Sequence, residues 1–390
     1  MRRLLKVAVI GQGFMGRAHS FAWQRVSALS GDSPRFQLQV LCGRDGAALS
    51  ENGSRWGYSR VSTSWRETVE SDDVDVVDIC TPGASHSEIA LLALAAGKHV
   101  LCEKPLANSL GEAHELALAA KRAEELGVIA MVGFNYRRVP AVVALRTLVQ
   151  SGELGEIRHV RASYLQDWLV DPEVPLAWRL RAEEAGSGAL GDLGAHVIDL
   201  VRYVTNDELV EVVGTTKTFV LERPIPESSF GLAGKAAPGA IRGAVTVDDA
   251  FTALARMGGG CLATLEATRM APGHKNALSL ELNGSMASAY FELERLNELA
   301  VGGRDGGGGV TWRMVTDPTD PYLAQWWPPG HVLGWEHTFV HEIQDLVAGI
   351  GASRKVEPSF EDGLATQAVL DAVSQSAQRH TWIPVVVPTV

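Results

Sequence analysis

Over the first third of the chain, short apolar runs alternate with stretches in which apolar residues recur every three or four positions. The runs predict strands at Lys6–Gly11, Gln37–Cys42, Val74–Thr81, His99–Cys102 and Val128–Phe134. The segment beginning Val74-Asp-Val-Val-Asp-Ile is rich in β-branched residues and bounded by acidic residues and a proline, as suits a strand buried on both faces. Between strands, Ser85-His-Ser-Glu88 reads as a capping box opening a helix that Gly97 closes, and a second helix is expected over 109–127. Strand and helix in strict alternation predict a parallel sheet covered by helices.

Beyond Arg138 the pattern changes. One helix is expected over 140–151, followed by alternating strands such as 157–164, which suits an antiparallel sheet with one wet face. Residues 222–245 are rich in Pro, Gly, Ser and Ala and read as a long loop or subunit contact, and 302–309 reads as a hairpin tip. The resulting expectation is an α/β protein with a parallel-sheet domain over 1–137 and an α/β domain with an open, mainly antiparallel sheet over 138–390. A chain of 390 residues is long enough for two cores.

Charge narrows the function classes. A net charge of −11 works against a surface that tracks phosphates, so no nucleic-acid partner is expected. No apolar stretch reaches the ~20 residues of a membrane span, so no membrane partner is expected either. The opening MRRLLKVAVIGQGFMG runs into a glycine-rich turn and not into a small-residue cleavage site, which makes it a first strand. Cys42, Cys80, Cys102 and Cys261 show no paired spacing, so neither a zinc ribbon nor a disulfide framework is expected, and the compartment should be the cytoplasm.

The chemistry begins at Gly11-Gln-Gly13-Phe-Met-Gly16, directly after a strand and before a helix. That context fits a dinucleotide fingerprint: Gly11 for a tight turn, Gly13 for close approach of a pyrophosphate, Gly16 for helix and strand packing. A methyltransferase on the same sheet is the rival reading. An acid usually ends the second strand to hold an adenosine ribose, but here the strand runs into Gly43-Arg44-Asp45. Arg44 could pair with a 2′-phosphate, which leans the NAD(P) choice towards NADP. The plainer alternative leaves Arg44 solvated and makes Asp45 a helix cap.

Cys102-Glu-Lys104-Pro105 lies at the sheet edge where open α/β folds bind ligands, and places there a lysine suited to exchanging a proton. Asp192 and His196 are four apart, hence on one helix face with Asp199 continuing the stripe, and Gly194 and Ala195 leave room beside them for a ligand. Taken alone, Asp192 could be a helix acid and His196 a core histidine. Glu336-His337-Thr-Phe-Val-His341 carries histidines at i, i+4, but the order is not HExxH, so no metal is expected; His337 reads as a substrate contact and His341 as a helix-surface residue.

The ordered set formed by the Gly11–Gly16 loop, Thr81-Pro82 with His86, the stretch from Gly97 to Pro105, Asp192 with His196, and Phe360-Glu-Asp-Gly363 resembles the glucose-fructose oxidoreductase and inositol dehydrogenase (Gfo/Idh/MocA) family over essentially the whole chain. The resemblance implies a Rossmann domain followed by an α/β domain whose open sheet mediates a homodimer or homotetramer. It implies that Lys104 and His196 handle the proton of a reacting hydroxyl while Asp192 orients them. It assigns NAD(P) to Gly11, Gly13, Phe14, Met15, Gly16, Arg44, Thr81, Pro82, His86, Glu103, Lys104, Asn135 and Arg179. Phe134-Asn-Tyr-Arg-Arg138, Tyr164-Leu-Gln-Asp-Trp168, Trp178-Arg179 and 185–192 are similar to family members that oxidise levoglucosan. A sugar or polyol of levoglucosan, pyranoside or inositol type is then implied, held by Tyr136, Arg138, Tyr164, Gln166, Trp178 and His337: aromatic faces for C–H surfaces, polar groups for hydroxyls. Two departures stand out: Gly83 where the family often has Asn, and the missing acid after the second strand. The competing function is a non-catalytic dinucleotide sensor, which would keep the glycines but have no need of Lys104, Asp192 and His196.

Overall fold

The computed structural model describes residues 4–29, 35–226, 236–237, 239–303 and 309–390. The N-terminal part is a six-stranded, fully parallel sheet made of β1 (Leu4–Ile10), β2 (Arg35–Cys42), β3 (Arg60–Ser62), β4 (Val76–Ile79), β5 (His99–Glu103) and β6 (Ala130–Gly133), in the order β3-β2-β1-β4-β5-β6. The order reverses beside β1, and that switch point opens a crevice at the strands' carboxyl ends. Every residue of β4 and β5 is buried, because helices cover both faces. The helices are α1 (Phe14–Leu29), α2 (Gly46–Arg55), α3 (Trp65–Glu70), α4 (His86–Ala95) and α5 (Leu110–Glu124). The expected strands are all present; β3 is additional, a three-residue edge strand too short to leave a periodic signal.

The box at the start of α4 does not form. The hydroxyl of Ser85 donates towards Thr81 Oγ1 and Pro82 O instead of capping, and Glu88 turns outward to pair with Arg66. Gly97 does close that helix, with φ +71°. At α5 the cap is formed, with Ser109 Oγ accepting the N–H of Glu112.

The second part is a nine-stranded sheet. Its strands are β7 (Ile157–Leu165), β8 (Leu209–Lys217), β11 (Ala250–Met257), β12 (Leu262–Thr268), β13 (Ala277–Gly284), β14 (Ala287–Glu292), β15 (Glu298–Gly303), β16 (Thr311–Met314) and β17 (Ile383–Pro384), with β9 (Glu222–Pro224) and β10 (Arg242–Ala244) forming a separate two-stranded ribbon. The order is β16-β15-β14-β13-β7-β12-β11-β8-β17, antiparallel except for β7 with β12. Alternation sets its faces: Val160, Ala162 and Tyr164 of β7 point inward, while Arg161 and Ser163 point to the other face. The inner face carries α6 (Pro140–Gln150), α8 (Ala195–Thr205) and α10 (Phe360–Arg379), with the one-turn α7 (Ala182–Ala185) outside that layer. The outer face presents Arg161, Thr252 and Glu266.

The loop expected over 222–245 is therefore corrected at both ends, where β9 and β10 pair; residues 227–235 and 238 lie outside the described residues. The hairpin expected at 302–309 has its flanks in β15 and β16, and 304–308 likewise lie outside. Helix α9 (His337–Ala352), late in the chain, returns to the first sheet and packs Phe339, Ile343 and Leu346 into one core with Trp23 and Val26 of α1. All four cysteines are free. Among the described residues no helix is long and apolar enough to cross a membrane.

Candidate active site

The glycine loop sits at the carboxyl end of β1, where α1 begins. Gly11 has φ +118°, and a Cβ there would lie 2.6 Å from Cys80 O; a Cβ on Gly16 would lie 1.8 Å from Gly11 O. Only glycine fits either place. Gly13 differs: a Cβ there meets nothing within 4 Å, so its bareness serves something other than packing against the protein. The first N–H groups of α1 face the same opening. Phe14 on this loop is 45% exposed and stacks on Trp335 at 5.5 Å between centroids, while Met15 packs inward.

After β2, Asp45 caps α2 by accepting the N–H groups of Ala47 and Ala48, and Arg44 is exposed. Gly43 is bare because Gln12 fills its place: a Cβ would lie 2.9 Å from Gln12 Cγ. Gly83 has the same kind of cause. A Cβ there would meet Asn108 Oδ1 at 2.4 Å, so an amide from the loop after Lys104 occupies the space of the missing side chain, and that buried Oδ1 has no partner.

Lys104 extends from the carboxyl end of β5. Its Nζ donates to the backbone O of Asp192 at 2.8 Å and to Asp192 Oδ1 at 3.1 Å. Asp192 belongs to a π-helical turn, Leu190–Gly194, that runs into α8, and such turns are frequent at functional sites. Asp248 anchors it: the carboxylate accepts the N–H groups of Gly188 and Leu190 at 2.8 Å each, and its backbone O accepts that of Ala189. Burial would raise the Asp192 pKa, but Lys104, Arg179 and Arg269 together hold its carboxyl well below the usual range. Arg269 Nη1 lies 4.0 Å from Asp192 Oδ2.

His196 follows in the first turn of α8, buried among Phe134, Tyr136 and Tyr164, the ring of Tyr136 being 4.6 Å away. Burial first, and Lys104 second, push its pKa well down against a smaller upward pull from Asp192, so the imidazole is neutral. Beyond His196, Asp199 does not continue the catalytic stripe, since it is buried in an ion pair with Arg137, Nε to Oδ2 2.9 Å. Nor does Gly194 leave room for a ligand: a Cβ there would lie 2.7 Å from the Phe251 ring.

A polar network lies beside His196. Tyr136 OH and Tyr164 OH are 2.9 Å apart; Tyr164 OH donates to Asn276 Oδ1 at 2.6 Å, and Gln166 Nε2 donates to the same atom at 2.8 Å. Trp168 Nε1 donates to Gln166 Oε1 at 2.9 Å, and Trp335 Nε1 to Tyr136 OH at 3.3 Å. Asn276, Arg269, Trp335 and Asp248 were not singled out by sequence. None lies in a motif, and only tertiary structure brings them to residues that do. Asp167 pairs with Lys275 at 2.6 Å, which offsets its charge.

Several expected contacts are committed elsewhere. Arg138 is buried and spends its guanidinium on Asp345 and Glu357 O, so the substrate role read for it is corrected. Asn135 donates to Thr338 Oγ1 at 2.8 Å, bracing α9. Both oxygens of the Glu103 carboxylate are taken, by His19 and by the N–H of Lys104. Both ring nitrogens of His86 face carbonyl oxygens, Pro105 O at 2.9 Å and Thr81 O at 2.8 Å; the ring ties the Thr81-Pro82 loop to the lysine loop from behind. Glu103 and His86 therefore have both of their side-chain polar atoms engaged within the protein, and Asn135 its amide nitrogen. Arg179, expected at the cofactor, lies over the Trp178 ring at 4.3 Å and bears on Asp192. His337 accepts the N–H of Gly334 and packs edge-on against Trp326. His341, expected on a helix surface, is fully buried, accepts from Trp326 Nε1 at 2.7 Å, and has its pKa lowered to about 4 by burial. Among the described residues the one cluster of metal-type donors is His19, Asp78 and Cys80, and those atoms are already hydrogen-bonded to one another.

Residues 5–134 match the oxidoreductase family with NAD-binding Rossmann fold (GFO_IDH_MocA), and residues 142–290 match the GFO/IDH/MocA C-terminal domain. Levoglucosan dehydrogenase of Pseudarthrobacter phenanthrenivorans is 36% identical over 386 residues, covering 98% of each chain. The crystal structure of an oxidoreductase domain protein from Kribbella flavida is 49% identical, with a TM-score of 0.92 over 99% of this chain and 100% of that one. A levoglucosan dehydrogenase in complex with NADH and levoglucosan is 35% identical, with a TM-score of 0.91 over 98% of this chain and 100% of that one.

Proposed function

Because the chain belongs to the GFO/IDH/MocA oxidoreductase family, we propose that it is an NAD(P)-dependent dehydrogenase acting on a secondary hydroxyl of a neutral sugar or polyol ring, of levoglucosan, pyranoside or inositol type. The observation that carries this reading is the junction of Lys104, from the Rossmann sheet edge, with Asp192 and a neutral His196 from the second domain. A dinucleotide sensor would have no use for that junction.

The crevice fits a nicotinamide cofactor: Gly13 faces open space, Gly11 and Gly16 make the turn, and Phe14 and the Thr81-Pro82 turn lie at the same ends of β1 and β4. When bound, the cofactor supplies the hydride acceptor or donor. In the oxidative direction the neutral imidazole of His196 accepts the hydroxyl proton, or Lys104 exchanges it, and Asp192 fixes the lysine Nζ between its carboxylate and its backbone O. Tyr136, Tyr164, Gln166 and Asn276 offer hydroxyl and amide groups without net charge, as a ring of hydroxyls requires. Trp178 adds an aromatic face. The relative solved with levoglucosan supports the same class. Gly43 and the unencumbered Arg44 lean the cofactor towards NADP, although that relative holds NADH. The polar outer face of the nine-stranded sheet would meet a second copy in a homodimer or homotetramer.

The test is a screen of sugars, polyols and their ketones with NAD and NADP, followed by Lys104→Ala. Turnover should fall by about 10²- to 10⁴-fold while cofactor Kd stays within about threefold. Turnover with acidic substrates alone, with none of the set, or undiminished in the variant overturns the assignment.

A further inference from the structure

Helix α1 carries His19 one turn beyond the glycine loop, and the side chain is fully buried. Its Nδ1 lies 2.9 and 3.0 Å from the two carboxylate oxygens of Asp78 on β4, and its Nε2 lies 3.0 Å from Glu103 Oε1 on β5. A neutral imidazole has one N–H and one lone pair, and a lone pair set against a carboxylate oxygen is repulsive. Both carboxylates also accept from other donors, Asp78 Oδ2 from Trp23 Nε1 at 2.8 Å and Glu103 Oε2 from the N–H of Lys104 at 3.0 Å. The arrangement is that of an imidazolium donating from both ring nitrogens to carboxyl oxygens. Burial opposes the charge, but Asp78 and Cys80 more than offset it and leave His19 raised well above the ordinary histidine value. The remaining ionisable groups around the ring are Tyr58, which bonds Ser20 of α1, and Glu342 of α9; the Phe339 ring lies 5.3 Å away.

We propose that His19 is a positioning residue for Lys104. It fixes the Glu103 carboxylate, whose other oxygen holds the backbone N–H of Lys104, and so sets where the lysine Nζ meets Asp192. The inference rests on the reading of Lys104 as a catalytic residue. It gives a role to two buried side chains, His19 and Glu103. It also ties the helix that starts at the glycine loop to the lysine that serves the reaction, so one rigid element governs both.

Three measurements test this. Histidine-selective ¹⁵N NMR of the ligand-free wild type should show one imidazolium that persists well above the pH at which an ordinary histidine loses its proton, and that disappears in His19→Gln. His19→Gln should lower kcat by about tenfold to a hundredfold, the loss expected from displacing a reacting group by about an ångström, with cofactor Kd and substrate KM within about threefold. The acid limb of its kcat profile should move to higher pH, because a relaxed Lys104 no longer depresses the His196 imidazole. Glu103→Gln retains an oxygen for the Lys104 N–H and should recover most of the rate that Glu103→Ala loses. A neutral His19 at pH 7, a His19→Gln enzyme with wild-type kcat and pH profile, or equal losses in the two Glu103 variants overturns the proposal. If His19→Gln does not fold, the Glu103 pair and the wild-type spectrum decide. Absence of any dehydrogenase turnover in the wild type would sink the assignment of Lys104, whereas the NMR result speaks to His19 alone.

Discussion

His196 sits in a ring of three aromatic side chains with Lys104 close by, and both burial and the lysine disfavour its charged form. The consequence is a rate that survives into mild acid. A base that must be neutral stops working as pH falls through its pKa, which here lies well below 6.5, so kcat should stay level through pH 6.5 and decline only at lower pH. Asp192 pulls the other way, and Asp192→Asn should move that limb lower still, along with a large loss of rate. A wild-type limb at or above 6.5 in a pH–kcat profile would contradict the charge state assigned to His196. The turn at Gly11 was legible from the strand before it and the helix after it, and the meeting of Lys104 with Asp192 from the family resemblance and not from spacing. The commitments of Arg138 and Glu103 were not, because side-chain type does not name a partner; that of Arg138, Asp345, lies 207 residues along the chain.

Glycines along the chain look alike in sequence but have different neighbours. The loop of Gly11, Gly13 and Gly16 could be read from the strand before it and the helix after it. Gly43, Gly83 and Gly194 could not, since Gln12, Asn108 and Phe251 fill the places beside them from other elements. In the turn that carries Asp192, the bare face of Gly194 is a packing surface on which α8 rests against β11. Gly194→Ala should therefore destabilise the fold by about 1–3 kcal/mol, as overpacking does, and lower kcat with it by tilting Asp192. Denaturant unfolding measures the first effect. An unchanged midpoint with unchanged kcat would show that Phe251 yields freely. The periodicities of the parallel sheet were clear, whereas β3, β9 and β10 are three residues each and leave no pattern to read.

The two sheets share more than a linker, since α9 is supplied late in the chain yet packs on α1. Glu342 is buried in that contact with neither carboxylate oxygen hydrogen-bonded, and burial pushes its pKa up to about 8. An unfolded glutamate releases its proton near 4.5, so between 4.5 and about 8 the folded state holds a proton that the unfolded state does not, and stability falls as pH rises across that window. Glu342→Gln removes the titration and should be more stable than the wild type at pH 8, by about 4 kcal/mol at most, with little difference at pH 5. Thermal melts at the two pH values check it; an equal shift at both would mean that packing and not ionisation is responsible. Nothing in the sequence marked this helix as belonging to the first core, because its apolar stripe would serve either sheet. The Phe14–Trp335 stack crosses the same junction, with the indole N–H on Tyr136. Movement of either the glycine loop or the hydroxyl network changes the surroundings of that indole, so the molecule has a native fluorophore from which the order of arrival of two small molecules should be readable without any label.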